Sequence, residues 1–489
     1  MIITLVLGVQ AGCRCGEKPR ADQRRVDAGQ LIAPPSEIHL AVDVLPRAPL
    51  DPFDPAIGLW TERLLVGPVY QTLLRRTEQG ALEAGLARFS RVPDGLRIEL
   101  GRHRLHDGRL LTAEQVKAAL ESHHRRGSLL KADLARITVE GASRLLIAQR
   151  RFDSALLYRL AVLPIAIAGR SNGWLGTGPF RPQFAGKRLH LIPWREGRRE
   201  PGRPVLVVAP LAQPAAALNL LRNREADLIA RLPPELGPTL SQAKGLSLLR
   251  RRLMRPRLLL FNCRHFYLRR AEVRQAIGLA IDRRTLTRMR DVWWPGSLVE
   301  AAGVLGDGIA EPPAADLPRA RQRLIEAFSW PRPPRGNWVR LSLLHGSGDA
   351  ALAQAIRQAL QPLGMIVQPV LAEPMYMRAR LDAGGFQLAL IGLALRAEPD
   401  LRRYLAASGP GNFGACGDSA IDRAIEQLAD QTDAKARGLL YRTIDQRLRA
   451  VLPHLILYSP VEVSVYQRKL AGVSPAGDWI DLAKLRMLR

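Results

Sequence analysis

Apolar residues recur along this 489-residue chain at two spacings, two residues for strands and three to four for helices, and the two kinds of run alternate. Ile38-His39-Leu40-Ala41-Val42 reads as a strand, followed by a Pro-punctuated stretch over residues 46–55. Ile57, Leu64, Leu65, Val69 and Leu73 stand at helical spacing and predict a helix over 57–74. Residues 96–100 alternate apolar and charged, as a half-buried strand does, and Asp94-Gly95 ahead of them is a hairpin-type turn signal. Thr112 and Gln115 have the spacing at which each satisfies an orphan backbone donor of a first helical turn. The helix so opened carries Val116, Ala119, Leu120 and His123 on one face.

Strands are predicted at 189–192, 204–209, 226–229 and 258–262, the last apolar enough to be buried on both faces. A helix is predicted over 215–221. Val273, Ala276, Ile277, Ala280 and Ile281 then form an apolar helical stripe. Residues 331–336 form a stiff Pro-rich loop. A strand at 339–344, a helix at 351–363 and strands at 365–371 and 386–393 give the alternation of an α/β unit with a largely parallel sheet. Helices are expected from Ser419, with Asp422 at its third position, and over 439–452, ending at Pro453 before a strand at 455–459.

Length and composition narrow the class. At roughly 100–200 residues per domain the chain holds two to four domains or lobes. Apolar residues make up 47% but aromatics only 5%, so the core rests on Leu, Ala, Val and Ile. No apolar run reaches the roughly 20 residues that span a bilayer. The formal charge is +27 and most of the 72 basic residues are Arg. They are scattered rather than gathered in a stripe, and no platform of interleaved aromatic and basic residues accompanies them, which argues against nucleic acid as partner. A basic surface of this kind also suits anionic lipid headgroups.

The four cysteines are Cys13, Cys15, Cys263 and Cys416. They form no zinc-type spacing, and a Cys263–Cys416 bridge stays open at this point. The first twelve residues are apolar with small residues at their end, and a polar, charged stretch follows Cys13. This pattern matches a secretory segment and tether, and Ala11-Gly12-Cys13 resembles the end of a lipobox, with Cys13 as the lipidated residue. Gln10 in place of an aliphatic residue and the missing basic start depart from it.

Several local motifs stand in a fixed order. They are Leu105 to Val116 (a His-Asp-Gly turn, then Thr-Ala-Glu before a helix), Gly176-Thr177-Gly178-Pro179-Phe180, Arg224-Glu225-Ala226-Asp227, Asn262, Val273-Arg274-Gln275-Ala276, Ala280-Ile281-Asp282-Arg283, and Gly411-Asn412 ahead of the helix at 419–428. The set resembles the family 5 extracellular solute-binding proteins of peptide and nickel ABC importers, over roughly residues 38–460. The resemblance implies an α/β, two-lobed, periplasmic-binding-protein-like fold of type II with a hinge between lobes and an extra subdomain in lobe one. Residues 1–30 would be the signal-like segment and tether. Lobe one would span 31–261 with the subdomain at about 60–175, lobe two 262–459, and 460–489 would return to lobe one.

The function implied is an extracytoplasmic receptor, periplasmic or at the cell surface and anchored through Cys13. It would deliver a small, peptide-like ligand to an ABC permease by hinge closure. It would be a monomer, with no cofactor, metal or nucleic acid and no enzymatic activity. The alternative is a non-transporting ligand sensor or cell-envelope interaction protein on the same fold. In peptide-binding members a carboxylate four residues before a Pro pairs with the ligand's α-amine. Here the Pro is Pro399 and the position is Leu395. Either Glu398 or Asp43 substitutes, or the ligand lacks a free amine and Arg396 pairs with its carboxylate. Asn412 and Phe413 complete the expected ligand set as members of the family's cleft-facing segment.

Competing chemistries lack their residues. No Gly-x-Ser-x-Gly nucleophile setting and no phosphate-binding Gly-x-x-x-x-Gly-Lys loop occurs. His103, His106 and Asp107 lack metalloprotease spacing, and His106-Asp107 read as turn residues.

Overall fold

The computed structural model describes residues 37–52, 62–77, 81–125, 136–149, 151–169, 173–196, 198–200, 202–232, 242–253, 255–288, 314–331, 336–393, 400–473 and 479–488, with short pieces at 236, 239–240, 292–293, 298–301 and 475–476. The first predicted strand forms as β1 (Glu37–Val42), with Ile38, Leu40, Ala41 and Val42 all buried. The helix expected over 57–74 does not form across its described part. A single π-helical turn, Glu62–Val66, stops at Gly67-Pro68, and a short strand, Leu74–Arg76, follows. Proline lacks the donor a helix needs and restricts the residue before it.

The chain then builds a unit with its own core. Strands β2 (Ala87–Val92) and β3 (Gly95–Leu100) form a hairpin in which Val92 faces Gly95, leaving a two-residue loop. Helix α1 (Ala113–Arg125) opens with the expected reciprocal cap. The Thr112 N–H donates to Gln115 Oε1 at 3.0 Å and the Gln115 N–H to Thr112 Oγ1 at 3.3 Å. Strands β4 (Arg136–Gly141) and β5 (Arg144–Ala148) complete the sheet in the order β2-β3-β5-β4. Helix α2 (Ala155–Leu160) adds Leu156, Leu157 and Leu160 to a core shared with Leu96, Ile98, Val116, Leu120 and Leu145.

Returning, the chain lays β6 (Phe180–Ala185), β7 (Arg188–Arg195), β8 (Val205–Pro210) and β9 (Leu228–Leu232) into the sheet of β1. Their order is β6-β7-β8-β1-β9, with β8, β1 and β9 parallel. The Gly-Thr-Gly turn before β6 is a close-approach turn. A Cβ on Gly176 would lie 2.0 Å from the Val69 carbonyl oxygen, and one on Gly178 2.2 Å from that of Pro68. Glycine is the residue that lets backbone pass so near backbone.

After β10 (Leu246–Arg252) and β11 (Arg257–Phe261) the C-terminal half follows. It runs α3 (Ala271–Ala280), α4 (Leu317–Phe328), β12 (Val339–His345), α5 (Ala350–Leu360), β13 (Met365–Leu371), α6 (Pro374–Asp382), β14 (Leu388–Gly392), α7 (Leu401–Leu405), α8 (Ser419–Asp430), α9 (Ala434–Val451) and β15 (His454–Gln467). Here β12 runs parallel to both β13 and β14. Leu259, Leu341, Leu343, Leu388 and Leu390 bury one face of this sheet against α3, α4 and α5. Leu258 and Ile456 bury the other against α8 and α9. The α8 cap is Asp418, one residue before the expected Ser419. It accepts from the Ala420 and Ile421 N–H groups, both at 3.0 Å.

The two sheets are one, because β15 belongs to both. Its C-terminal part pairs with β9 on one edge and β10 on the other; its N-terminal part pairs with β11. β10 and β11 thus run antiparallel to β15 almost end to end, as a two-stranded ribbon interrupted at 253–256. The register sets residues 257–261, expected in lobe one, beside β14 of the C-terminal half. The final strand also runs eight residues beyond the expected 455–459, through Pro460.

Candidate functional site

Strand direction locates the site. In the N-terminal half the parallel strands β1, β8 and β9 end at Val42, Pro210 and Leu232. In the C-terminal half β12, β13 and β14 end at His345, Leu371 and Gly392. Gly392 pairs with Arg257 at the start of β11, and Leu232 and Arg252 pair with Val463 and Val461. Both sets of carboxyl ends therefore meet at the ribbon's interruption, around 253–256 and 459–460. Open α/β sheets bind ligands beyond the carboxyl ends of their strands.

The residues there are charged at the ribbon and apolar on the rims. Asp43, one residue past β1, accepts from Arg231 Nη1 at 2.9 Å. The Arg231 Nε in turn meets the buried carboxylate of Glu462 on β15. Arg251, also buried, stands 3.9 Å from Glu462 and donates to the Ala230 carbonyl (2.8 Å) and Ser464 Oγ (3.1 Å). Burial pushes the Glu462 carboxyl up, while Arg231, Arg251 and Arg255 pull against that shift. Across the interruption Arg257 pairs with the buried Asp349 at 2.9 Å. The rims expose the large apolar side chains of Val44 (50%), Leu371 (59%), Met375 (84%) and Tyr376 (50%).

Of the residues singled out in the sequence, Asp43 lies at this edge, already held by Arg231. Leu395, Arg396 and Glu398 lie outside the described residues, as does Cys13. Of the two flanks of their loop, Leu393 lies at the edge and Asp400 caps a helix that faces the inserted unit. The Leu393 N–H donates to the Pro256 carbonyl at 3.1 Å, and Asp400 accepts from the Arg403 N–H at 3.1 Å as the cap of α7. Asn412 and Phe413 are placed elsewhere. They sit at the opposite end of β11, where the Cys263 N–H donates to the Gly414 carbonyl (2.8 Å) and Arg264 Nη1 to that of Phe413 (3.0 Å). The Asn412 amide donates to the Ala406 and Cys416 carbonyls, each at 3.0 Å, so it fixes a turn. Cys263 and Cys416 are joined in a disulfide beside it, with Cα atoms 5.2 Å apart.

A second contact joins the halves away from the ribbon, and sequence reasoning missed it. Ser154, fully buried ahead of α2, donates its N–H to the Ala429 carbonyl (2.7 Å) and its hydroxyl to that of Leu428 (2.8 Å). Arg437 of α9, only 4% exposed, donates to Ser154 Oγ (2.7 Å), the Leu428 and Gln431 carbonyls (2.9 Å each) and Tyr441 Oη (2.7 Å). Its guanidinium lies 4.4 Å from the Tyr158 ring centroid. Arg159 stands 3.7 Å from Asp400 in the same contact. The only sequence signal for it was an Arg on the face that Tyr441, Ile444 and Leu448 bury.

His106 proves to be a joint of the inserted unit. Gly176 donates its N–H to His106 Nδ1 at 3.3 Å, which leaves Nε2–H to donate to the Gly178 carbonyl at 3.1 Å. Burial lowers its pKa to about 4, so the ring is neutral. No cluster able to hold a metal ion occurs among the described residues.

Comparison with known proteins gives the family and the fold. The model of the bacterial extracellular solute-binding proteins, family 5, matches residues 104–414. The chain belongs to this family. No curated protein sequence matches it. Among solved structures, the family 5 chain is similar to a nickel ABC transporter from Bacillus halodurans, 19% identical, with 93% of this chain and 100% of that one covered and a TM-score of 0.77. It is also similar to the MppA periplasmic murein tripeptide binding protein in its unliganded open form (17% identical, 95% and 99% covered, TM-score 0.78). A third is the oligopeptide-binding protein AppA from Bacillus subtilis in complex with a nonapeptide (16% identical, 93% and 100% covered, TM-score 0.65). The two-lobed binding-protein fold is thereby shown, and family and fold are those of binding proteins rather than enzymes. No described helix is long and apolar enough to cross a membrane.

Proposed function

We propose that this family 5 protein is the extracytoplasmic receptor of an ABC importer, which encloses a small peptide-like solute between its lobes and presents the closed form to a permease. The meeting of both sets of strand carboxyl ends at one interruption of the ribbon carries this reading. A ligand there touches both halves at once, and contacts made only when the halves approach are what shift a two-state equilibrium toward closure. The exposed Val44, Leu371, Met375 and Tyr376 suit apolar side chains of such a ligand.

Asp43 serves the ribbon through Arg231 rather than an incoming ammonium, and Leu395 offers no charge. The ligand is therefore held without a carboxylate at the position peptide binders use, with Arg396 and Glu398 as the charged groups of the adjoining loop. The two lobes divide near 253–256 and 459–460, with 460–489 returning to the first lobe. The Cys263–Cys416 disulfide supports export to an oxidising compartment, and Cys13 is the attachment point to the membrane. Native mass spectrometry of the purified protein identifies the co-purified solute. Free and N-acetylated forms of one peptide should raise Tm alike, as ligand mass action requires. A shift with the free form alone would overturn the amine-independent reading, and no shift with any peptide, sugar or metal-chelate set would overturn the receptor reading.

A further inference from the structure

A second concavity of about 750 Å³ lies at the other end of the N-terminal sheet. Glu37 pairs with Val205 and Val42 with Pro210, so Trp194 and Arg203, which precede Val205 in register, stand beyond the amino end of β1. That end is ~17 Å along the strand from its carboxyl end, at ~3.3 Å per residue. The walls come from three segments: the turn before α1 (Arg102, Arg104), the Gly-Thr-Gly turn (Thr177) and the end of β7 with its loop (Trp194, Arg195, Arg203).

The chemistry of these walls is one-sided. Four guanidiniums line them against two carboxylates, Glu196 and Glu200. Glu200 is already paired with Arg203 at 3.0 Å. Arg102 and Arg195 have no carboxylate partner among the described residues. Arg203 and Arg486 donate to the same carbonyl, that of Ala483, so two like charges are held together behind one wall. Two further polar atoms, Trp194 Nε1 and Thr177 Oγ1, are buried with no hydrogen-bond partner. Guanidinium and indole N–H groups only donate, and a hydroxyl can donate as well. The two buried atoms lack an acceptor, whereas Arg102, Arg104 and Arg195 are exposed and Arg104 already donates to the Gly108 carbonyl; the group that engages several guanidiniums and both neutral donors at once is an anion rich in acceptor oxygens. The volume falls in the range of small-molecule sites.

We infer that this concavity is a second binding site, independent of the interlobe edge, for a phosphate-bearing ligand, either a soluble phosphate compound or the headgroup of an anionic phospholipid. Arg102, Arg104, Arg195 and Arg203 supply charge, and Thr177 and Trp194 supply the neutral donors that fix the anion.

The test uses the full chain in about 150 mM salt, where diffuse charge attraction is screened beyond ~8 Å. Binding of inorganic phosphate and glycerol 3-phosphate is measured by calorimetry. Flotation is measured with phosphatidylglycerol-containing vesicles and with phosphatidylcholine vesicles alone. R102A/R195A should weaken whichever ligand binds by at least about tenfold. T177V/W194F, which leaves the charge unchanged, should weaken it by about fivefold. R88A/R340A removes two exposed arginines elsewhere and should stay within about twofold. Binding of the soluble phosphates without flotation assigns a soluble ligand, and flotation without soluble binding assigns the headgroup. Binding of neither, or equal loss in R88A/R340A and R102A/R195A, would overturn the site.

Discussion

Among the described residues, two connections join the halves of the molecule. The ribbon of β10, β11 and β15 is continuous backbone, its ladder broken only near 253–256. The contact of α2 with α8 and α9 is made by side chains and a few carbonyls, centred on Ser154 and Arg437. A ribbon can bend but cannot part without unfolding the sheet. The side contact crosses between the halves through three hydrogen bonds at Ser154, one of them from Arg437, and can part and reform as a unit; the other bonds of the Arg437 guanidinium stay within the C-terminal half. His106 ties the inserted unit to the Gly-Thr-Gly turn of the N-terminal half. If the lobes close as proposed, the contrast puts bending in the ribbon and opening at the Arg437 contact.

The sharpest way to break this comparison is R437A. The arginine is buried, and hydrogen bonds to charged groups contribute about 1.5–3 kcal/mol each. The expected result is about 3 kcal/mol lower stability in a denaturant titration and a larger radius of gyration in solution scattering. Unchanged dimensions would mean that the contact does not hold the halves together. The double variant C263S/C416S is expected to cost about 2–4 kcal/mol, since it frees a long loop. It should leave the radius of gyration as it was, because both cysteines lie within the C-terminal half. E462Q removes the charge between Arg231 and Arg251 at the bend. A loss of about 1–3 kcal/mol is expected, together with altered ligand affinity; ligand affinity equal to wild type would separate the network from closure.

The smallest effect is the acid response of the His106 joint. Its pKa is about 4 in the fold against an ordinary 6.5, so below pH 6.5 the unfolded chain takes up a proton that the folded chain refuses. Its contribution is complete above about pH 6.5 and falls as pH drops toward about 4. The loss is ~1.4 kcal/mol at one unit below 6.5. H106N should lessen the dependence of Tm on pH over that window, leaving the part due to His454, whose pKa burial also lowers to about 4.

Much of the fold was legible in the sequence because the features that declare it are local. The Thr112–Gln115 cap, the alternation at 96–100 and the stripe from Val273 to Ala280 each formed as read, with Ile281 buried just past the helix end in extended conformation. The family motifs proved structural. Asn262 donates to the Gly384 and Phe386 carbonyls, and Arg274 caps the end of α9 through the Val451 and Leu452 carbonyls. What was not legible depends on partners distant in the chain. Ser154 and Arg437 are 283 residues apart. Pro460 reads as a strand end, yet its carbonyl accepts from the Leu253 N–H at 2.9 Å and β15 continues past it. Asp43 looked available for a ligand because nothing nearby in sequence announces Arg231. The expectation for Asn412 comes from the resemblance; that its amide fixes a turn through the Ala406 and Cys416 carbonyls is not announced by its neighbours in sequence.

The claim that the halves part at the Arg437 contact while the ribbon bends is tested most directly by spin-label distances. Labels at E114C on α1 and K435C on α9, in a C13S/C15S background, report the separation across that contact. A broad or two-peaked distribution that collapses to its shorter distance when the solute identified by mass spectrometry is added is the predicted result. A single distance, identical with and without that solute, would contradict it.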